Sequence, residues 1–164
     1  MVAKPFGVVL LLLLLLGACS LPGREAAIYD MDHQGSGYSD SVIHGELHLA
    51  MVWGQAGLAE DNAAVYSVIR NNGNTAERLV AVYSEVAGAA ELHEVKMADN
   101  AMQMQQVSGG IEIPAGGEVV LQPGGYHVML IGLNQDLEVG GSHLLRLQFE
   151  NAGGVGINVV VQQR

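Results

Sequence analysis

The stretch PAGGEVVLQPGGYHVMLIGL, residues 114–133, contains two glycine turns, Pro114-Ala115-Gly116-Gly117 and Pro123-Gly124-Gly125, each followed by a short run rich in Val, Leu, Ile and Tyr. Proline presets φ and glycine admits positive φ, so each cluster marks a reversal, and apolar runs of this length between reversals read as strands. The pattern continues in both directions. Upstream, Leu47, Leu49, Met51 and Trp53 alternate with Glu46, His48 and Ala50, and further runs fall at 64–70, 78–84, 89–97 and 101–107. Downstream, runs fall at 144–150 and 155–161. Asn71-Asn72-Gly73-Asn74 and Ala152-Gly153-Gly154 supply more turns, and no stretch carries the period of a long amphipathic helix. About nine short strands punctuated by turn residues predict an all-β domain, an antiparallel Greek-key β-sandwich or barrel. Met51 shares the phase of Leu47, Leu49 and Trp53 and is expected in the core, where a thioether fills gaps.

The chain begins with Lys4, the only charge in the first eighteen residues, and an apolar run over 6–16 that holds seven consecutive leucines. A spanning helix needs about 20 apolar residues, so this run reads as the apolar region of an export signal. It ends in Leu16-Gly17-Ala18-Cys19, which resembles a bacterial lipobox. We therefore expect residues 1–18 to be a lipoprotein signal peptide and Cys19 to be the lipidated first residue of the mature chain. Ser20 carries no acidic retention signal, which favours an outer membrane in a cell that has one. Residues 19–41 are polar and rich in Gly and Ser and read as a flexible tether, with a reach of roughly 25 Å; the β-domain is expected over 42–164.

Removing Lys4 with the signal makes a formal charge of −10 one unit more negative. So acidic a chain is not built for phosphate backbones, and no nucleic-acid partner is expected. The chain holds one cysteine. With Cys19 lipidated, disulfides, thiol redox chemistry, thiolate zinc sites and a blue-copper centre are all excluded. No nucleophile-elbow serine, paired carboxylates or phosphate-binding glycine loop is evident, and an enzyme is not expected.

What remains for chemistry is histidine and methionine. His93, Met97, Met102, Met104, His127 and Met129 fall within 37 residues. Thioether sulfur is a soft, neutral ligand that selects Cu(I) over zinc, calcium or magnesium, and imidazole accepts copper as well. On a strand, residues i and i+2 share a face, so His127 projects with Met129 and Met102 with Met104. These residues alone specify a soft-metal site on a β-domain.

The run His93-Glu94-Val95-Lys96-Met97, continued through Met102-Gln103-Met104, Pro114-Ala115-Gly116-Gly117 and His127-Val128-Met129, resembles the PCuAC family of periplasmic copper chaperones, with its His-x10-Met-x21-His-x-Met signature. Ten residues separate His93 from Met104, as in the signature, but 22 separate Met104 from His127, and the extra residue is placed at Ser108-Gly109-Gly110. The resemblance extends over about residues 45–161, including Trp53, Ala64-Val65-Tyr66 and Arg78-Leu79-Val80. It implies a cupredoxin-like fold and Cu(I) ligands His93, Met104, His127 and Met129. It also implies an extracytoplasmic chaperone whose partner is the copper-bearing subunit of cytochrome c oxidase or another copper chaperone. The alternative is a copper-sequestering lipoprotein without a dedicated client.

Met97 and Met102 read first as an exposed apolar rim, with spare-ligand roles during transfer as the alternative. Met31 and His33 in the tether, with His44 beyond, are candidates for an auxiliary copper site. His48 and His143 are expected to be surface or hydrogen-bonded core residues.

Overall fold

The computed structural model describes residues 41–98 and 101–163. Cys19, Met31, His33 and the tether as far as residue 40 lie outside them, whereas Ser41, expected in the tether, opens the first strand. Eleven strands follow one another: β1 (Ser41–His44), β2 (Leu47–Gln55), β3 (Ala63–Asn71), β4 (Glu77–Ser84), β5 (Ala87–Ala98), β6 (Ala101–Gln106), β7 (Ile111–Ile113), β8 (Glu118–Leu121), β9 (Tyr126–Leu133), β10 (Ser142–Phe149) and β11 (Gly153–Gln162). No helix occurs among the described residues. Nine of the eleven match the runs read from the sequence. The two additions, β1 and β7, are four and three residues long, too short for a period-2 pattern to register.

The strands hydrogen-bond in the order β6-β5-β9-β8-β3-β2-β11-β10-β4-β7, with β1 on β2 and a further pairing of β9 with β3. This single ribbon of strands is rolled so that β4 packs on β5, and β7 on β3 and β8. The expectation of an antiparallel sheet needs one correction, because β11 pairs β2 in parallel, as β8 does β9 at one position. Such pairs join strands distant in sequence or offset by a tight turn, which no hairpin signal announces.

Alternation sets the core. On β10, Leu145, Leu147 and Phe149 point inward, and on β11 Val155, Ile157, Val159 and Val161 do so, while the intervening residues face solvent. They pack with Leu49, Ile69, Leu79, Ile113, Val128 and Leu130, all essentially inaccessible. Each such side chain contributes about 1.5–3 kcal/mol through burial.

Met51 does not join them. It is 60% exposed and has φ of 52°. The β2–β3 register shifts between Ala50 and Trp53, so three steps on β2 oppose two on β3. This bulge restores Val52 to the core and turns Trp53 to the opposite face of the sheet, where it forms a separate cluster with Ala64 and Tyr66. The sequence phase that joined Met51 and Trp53 to Leu47 and Leu49 is broken by that one extra residue.

Two buried polar groups couple the fold to pH. Glu77, on β4, is 7% exposed. Its Oε1 accepts from the Arg78 and Asn151 backbone N–H groups and from Asn151 Nδ2, and its Oε2 from the Ala152 N–H, tying β4 to the β10–β11 turn. Burial alone would raise its pKa, but these four donors outweigh burial and hold it below the ordinary 4.5. His143 continues the inward phase of β10 and is 5% exposed, contrary to the expected surface or hydrogen-bonded role; neither ring nitrogen makes a well-formed hydrogen bond. Burial lowers its pKa from 6.5, offset only in part by the Leu144 backbone.

Both folded-state pKa values are depressed, so stability is intact above the unfolded pKa of each group and is lost as pH falls and the folded state must take up the proton. Thermal unfolding should therefore show stability declining below about pH 6.5 and declining further below the carboxylate range. His143→Leu should flatten the upper decline without loss of stability at neutral pH. Glu77→Gln, which turns an amide N–H₂ toward one of the donors, should cost about 1–3 kcal/mol at neutral pH.

Candidate metal centre

β5, β6 and β9 lie side by side, and their registers decide which side chains meet. His93 of β5 stands directly opposite His127 of β9 and opposite Gln106 of β6. Glu91 stands opposite Met129, Val95 opposite Met104, and Met97 opposite Met102. Cross-strand partners share a face, as do residues two apart along a strand. One face of this three-stranded unit therefore carries Glu91, His93, Val95 and Met97 on β5, His127 and Met129 on β9, and Met102, Met104 and Gln106 on β6. The other face carries Leu92, Val128 and Leu130 into the core. The His/Met face is thus the outer face of the sheet.

The two imidazoles meet at its centre, with ring centroids 5.8 Å apart and planes at 59°. His127 is 3% exposed, and its Nδ1–H donates to the Gly125 carbonyl at 3.1 Å, which leaves Nε2 as the free lone pair. The Pro123-Gly124-Gly125 turn, with Gly124 at φ of 77°, places that carbonyl. His93 is oriented by the opposite nitrogen. Its Nε2–H donates to Glu91 Oε2 at 2.8 Å, and Nδ1, buried, has no hydrogen-bond partner. Each imidazole is therefore anchored through one nitrogen with the other left over, the arrangement that fixes the tautomer of a metal-binding histidine.

Met129 lies beside His127 on β9, partly buried, opposite both Glu91 and Ala64 of β3. Met104 lies beyond His93 in the opposite direction, on β6, 52% exposed. The two thioethers flank the imidazole pair from opposite sides, their rungs separated by four residues of β5, about 14 Å of strand. Proximity is thus established for the two histidines, with Met129 adjacent; Met104 is on the same face but on the open side of the pair. Among the described residues, no group of three or more His, Cys, Asp or Glu side chains is placed to hold a metal ion, so a complete donor set on this face must draw on thioether sulfur.

A wall of aromatic side chains closes one side. Tyr66 of β3 lies 6.4 Å from His127, and Trp53 packs on Tyr66 at 4.5 Å. Burial raises the pKa of Tyr66, so its phenol stays neutral beside the imidazoles. Ala64, the small residue of this cluster, faces Met129.

His44 is occupied elsewhere, its Nε2 bonding the Ala152 carbonyl at 3.0 Å. Met97 and Met102 are 68% and 60% exposed, in keeping with an exposed rim. The glycine turn at 108–110 passes close to β4, with Gly110 at φ of 73° and a Cβ there only 2.7 Å from the Leu79 carbonyl, whereas Gly109 faces open space. Glu91 was not singled out from the sequence, although it is two residues before His93 and the same-face rule that grouped His127 with Met129 applies to it.

An all-β domain whose outer face gathers imidazole and thioether donors is a soft-ligand module. The family model described as "Putative lipoprotein LpqE-like" matches residues 47–161, and the chain belongs to that family. "Putative lipoprotein Lxx21020" of Leifsonia xyli subsp. xyli is 33% identical over 99 residues, a stretch that covers 60% of this chain and 60% of that relative. Among solved structures, the apo PCuAC domain from PmoF1 matches with a TM-score of 0.64 and 30% identity over 76% of this chain and 99% of the other. The copper-bound PCuAC domain from PmoF2 matches with a TM-score of 0.63 and 26% identity over 76% and 98%. The fold is the cupredoxin-like one of the PCuAC domains.

The tautomers are open to measurement in the metal-free protein. Nitrogen NMR should find His127 protonated on Nδ1 and His93 on Nε2, and Glu91→Ala should leave His127 unchanged while His93 becomes a tautomer mixture.

Proposed function

We propose that the chain is a copper metallochaperone, held outside the cytoplasm by a lipid on Cys19, that binds Cu(I) through His93, His127, Met129 and Met104 and is not an enzyme. The observation that carries this reading is the His93–His127 pair, 5.8 Å apart on the outer face with thioethers on either side. The donor set fits the ion. Two neutral imidazole nitrogens and two thioethers offer no charge to attract a hard cation, and they suit the soft Cu(I). Glu91 acts one step back, holding His93 in one orientation. Tyr66 and Trp53 exclude water from one side, while Met104 on the other side is exposed enough to move with the ion.

The family's lipoprotein character and the copper-bound PmoF2 neighbour support the anchor and the cargo. The proposed delivery is by ligand exchange, in which a donor of the recipient bonds Cu(I) before a thioether of this chain lets go. Copper stays Cu(I) throughout, and no proton is taken up by the thioethers. The recipient we favour is the copper site of cytochrome c oxidase; a copper-sequestering lipoprotein is the competing reading and differs by the absence of transfer.

Anaerobic Cu(I) titration against a competing chelator tests the site. The mature chain should bind one copper tightly, and His127→Ala/Met129→Ala should abolish that binding. Glu91→Ala should weaken it about 10- to 100-fold, the range typical of partners that orient a ligand. Equal tight binding by the double variant would refute the ligand assignment.

A further inference from the structure

We propose that Met97, Met102 and Met104 form a second, all-thioether Cu(I) station at the outer end of the β5–β6 hairpin, through which copper enters or leaves the His93–His127 pair. The inference rests on the reading of that pair as a Cu(I) site. Three observations carry it. First, Met97 and Met102 are direct cross-strand partners, which puts their Cβ atoms about 5 Å apart. Met104 follows Met102 by two residues and so shares their face. Second, all three are more than half exposed, at 68%, 60% and 52%, so none serves the core, the usual duty of a methionine in a β-domain.

Third, the surroundings suit a soft cation held by neutral ligands. β6 is an end strand of the sheet and reads AMQMQQ, without a charged residue. Lys96, opposite Gln103 of β6, is in the opposite phase of β5 and is paired with Glu94. A rim evolved only for apolar contact has no need of sulfur at every position; leucine or isoleucine would serve. Three thioethers and nothing else is a donor set for Cu(I) or Ag(I) and for little besides.

The placement relative to the imidazoles gives the station a role. Along the face run, in order, the Met97–Met102 rung, Met104 opposite Val95, the His93–His127 rung, and Met129 beside it. Met104 is one rung from each group and can serve both. Copper can therefore pass from the imidazole pair to the hairpin tip with Met104 bonded throughout, each new Cu–S bond forming as a Cu–N or Cu–S bond breaks. No electron changes hands. Lacking imidazole, the outer station binds more weakly than the inner one, as an exchange point must.

The test uses the mature chain with methyl-labelled methionine, titrated with Ag(I) as a redox-inert probe and with Cu(I) under argon. The first equivalent should shift the Met129 and Met104 methyl signals; a second, weaker equivalent should shift Met97 and Met102 and shift Met104 again as it is shared between the two ions. Met97→Leu/Met102→Leu, which keeps size and apolarity, should lose the second equivalent, keep the first at unchanged affinity, and release copper to a chelator more slowly. His127→Ala/Met129→Ala should lose the first and keep the second, so the two sites fail separately. Shifts at Met97 and Met102 without tight binding at the histidines would sink the inner-site reading and overturn the relay with it, leaving an isolated thioether site. Absence of those shifts in excess metal, or a second equivalent that survives in the leucine variant, overturns the proposal, the latter assigning the extra ion elsewhere in the chain. A leucine variant that only delivers copper to a partner poorly, with metal binding intact, overturns it as well and makes the face a protein contact.

Discussion

The register between β5 and β9 is the constraint on which the rest of the site depends. His93 opposes His127 because Leu92 opposes Val128, and that apolar pair is pinned in the core on the other side of the sheet. A slip of β5 by one residue against β9 would drive His93 inward and Leu92 out, parting the two imidazoles to opposite faces. Core packing thus fixes the spacing of the imidazoles from the opposite side of the sheet. The same register sets Glu91 against Met129, while the period of β5 itself, two residues to a repeat, brings the Glu91 carboxylate to 2.8 Å from His93. One hydrophobic decision on the inner face specifies four functional positions on the outer one.

A second constraint is the bulge at Met51. Without the extra residue, Trp53 would continue the inward phase of Leu47 and Leu49. With it, Trp53 crosses to the outer face and packs on Tyr66, and Tyr66 in turn lies beside His127. The positive φ of Met51 costs some backbone energy, on the order of 1–3 kcal/mol. The return is an aromatic wall next to the imidazoles, built from strands that otherwise only form the core. Bulges beside functional sites commonly re-aim a side chain in this way.

These two features show what was and was not legible beforehand. The strands themselves were, because alternation and glycine turns act locally: the runs at 126–133 and 144–150 correspond to β9 and β10 almost residue for residue. The pairing of His127 with Met129 was legible for the same reason. The bulge was not, since nothing in Ala50-Met51-Val52 distinguishes it from regular strand, and Trp53 was assigned to the wrong face. Nor was the want of a well-formed hydrogen bond at buried His143, whose place in the phase of Leu145 and Leu147 was visible. The parallel pairing of β2 with β11 unites residues a hundred positions apart and leaves no local trace. The position of Met104, on the open side of the histidine pair and away from Met129, follows only from the β5–β6 register.

The separation of the two faces has a further consequence. The apolar core is complete without Trp53, Ala64 and Tyr66, which form a cluster of their own, and none of the imidazole or thioether groups of the outer face belongs to it. In small zinc domains the ion substitutes for a core, and removing it unfolds the chain. Here cohesion and cargo are held by opposite sides of one sheet, so the chain folds on its core alone and an ion adds only the stabilisation that any ligand of a folded state confers. A carrier with that division of labour can be emptied and refilled many times, and it meets its source as a finished shape.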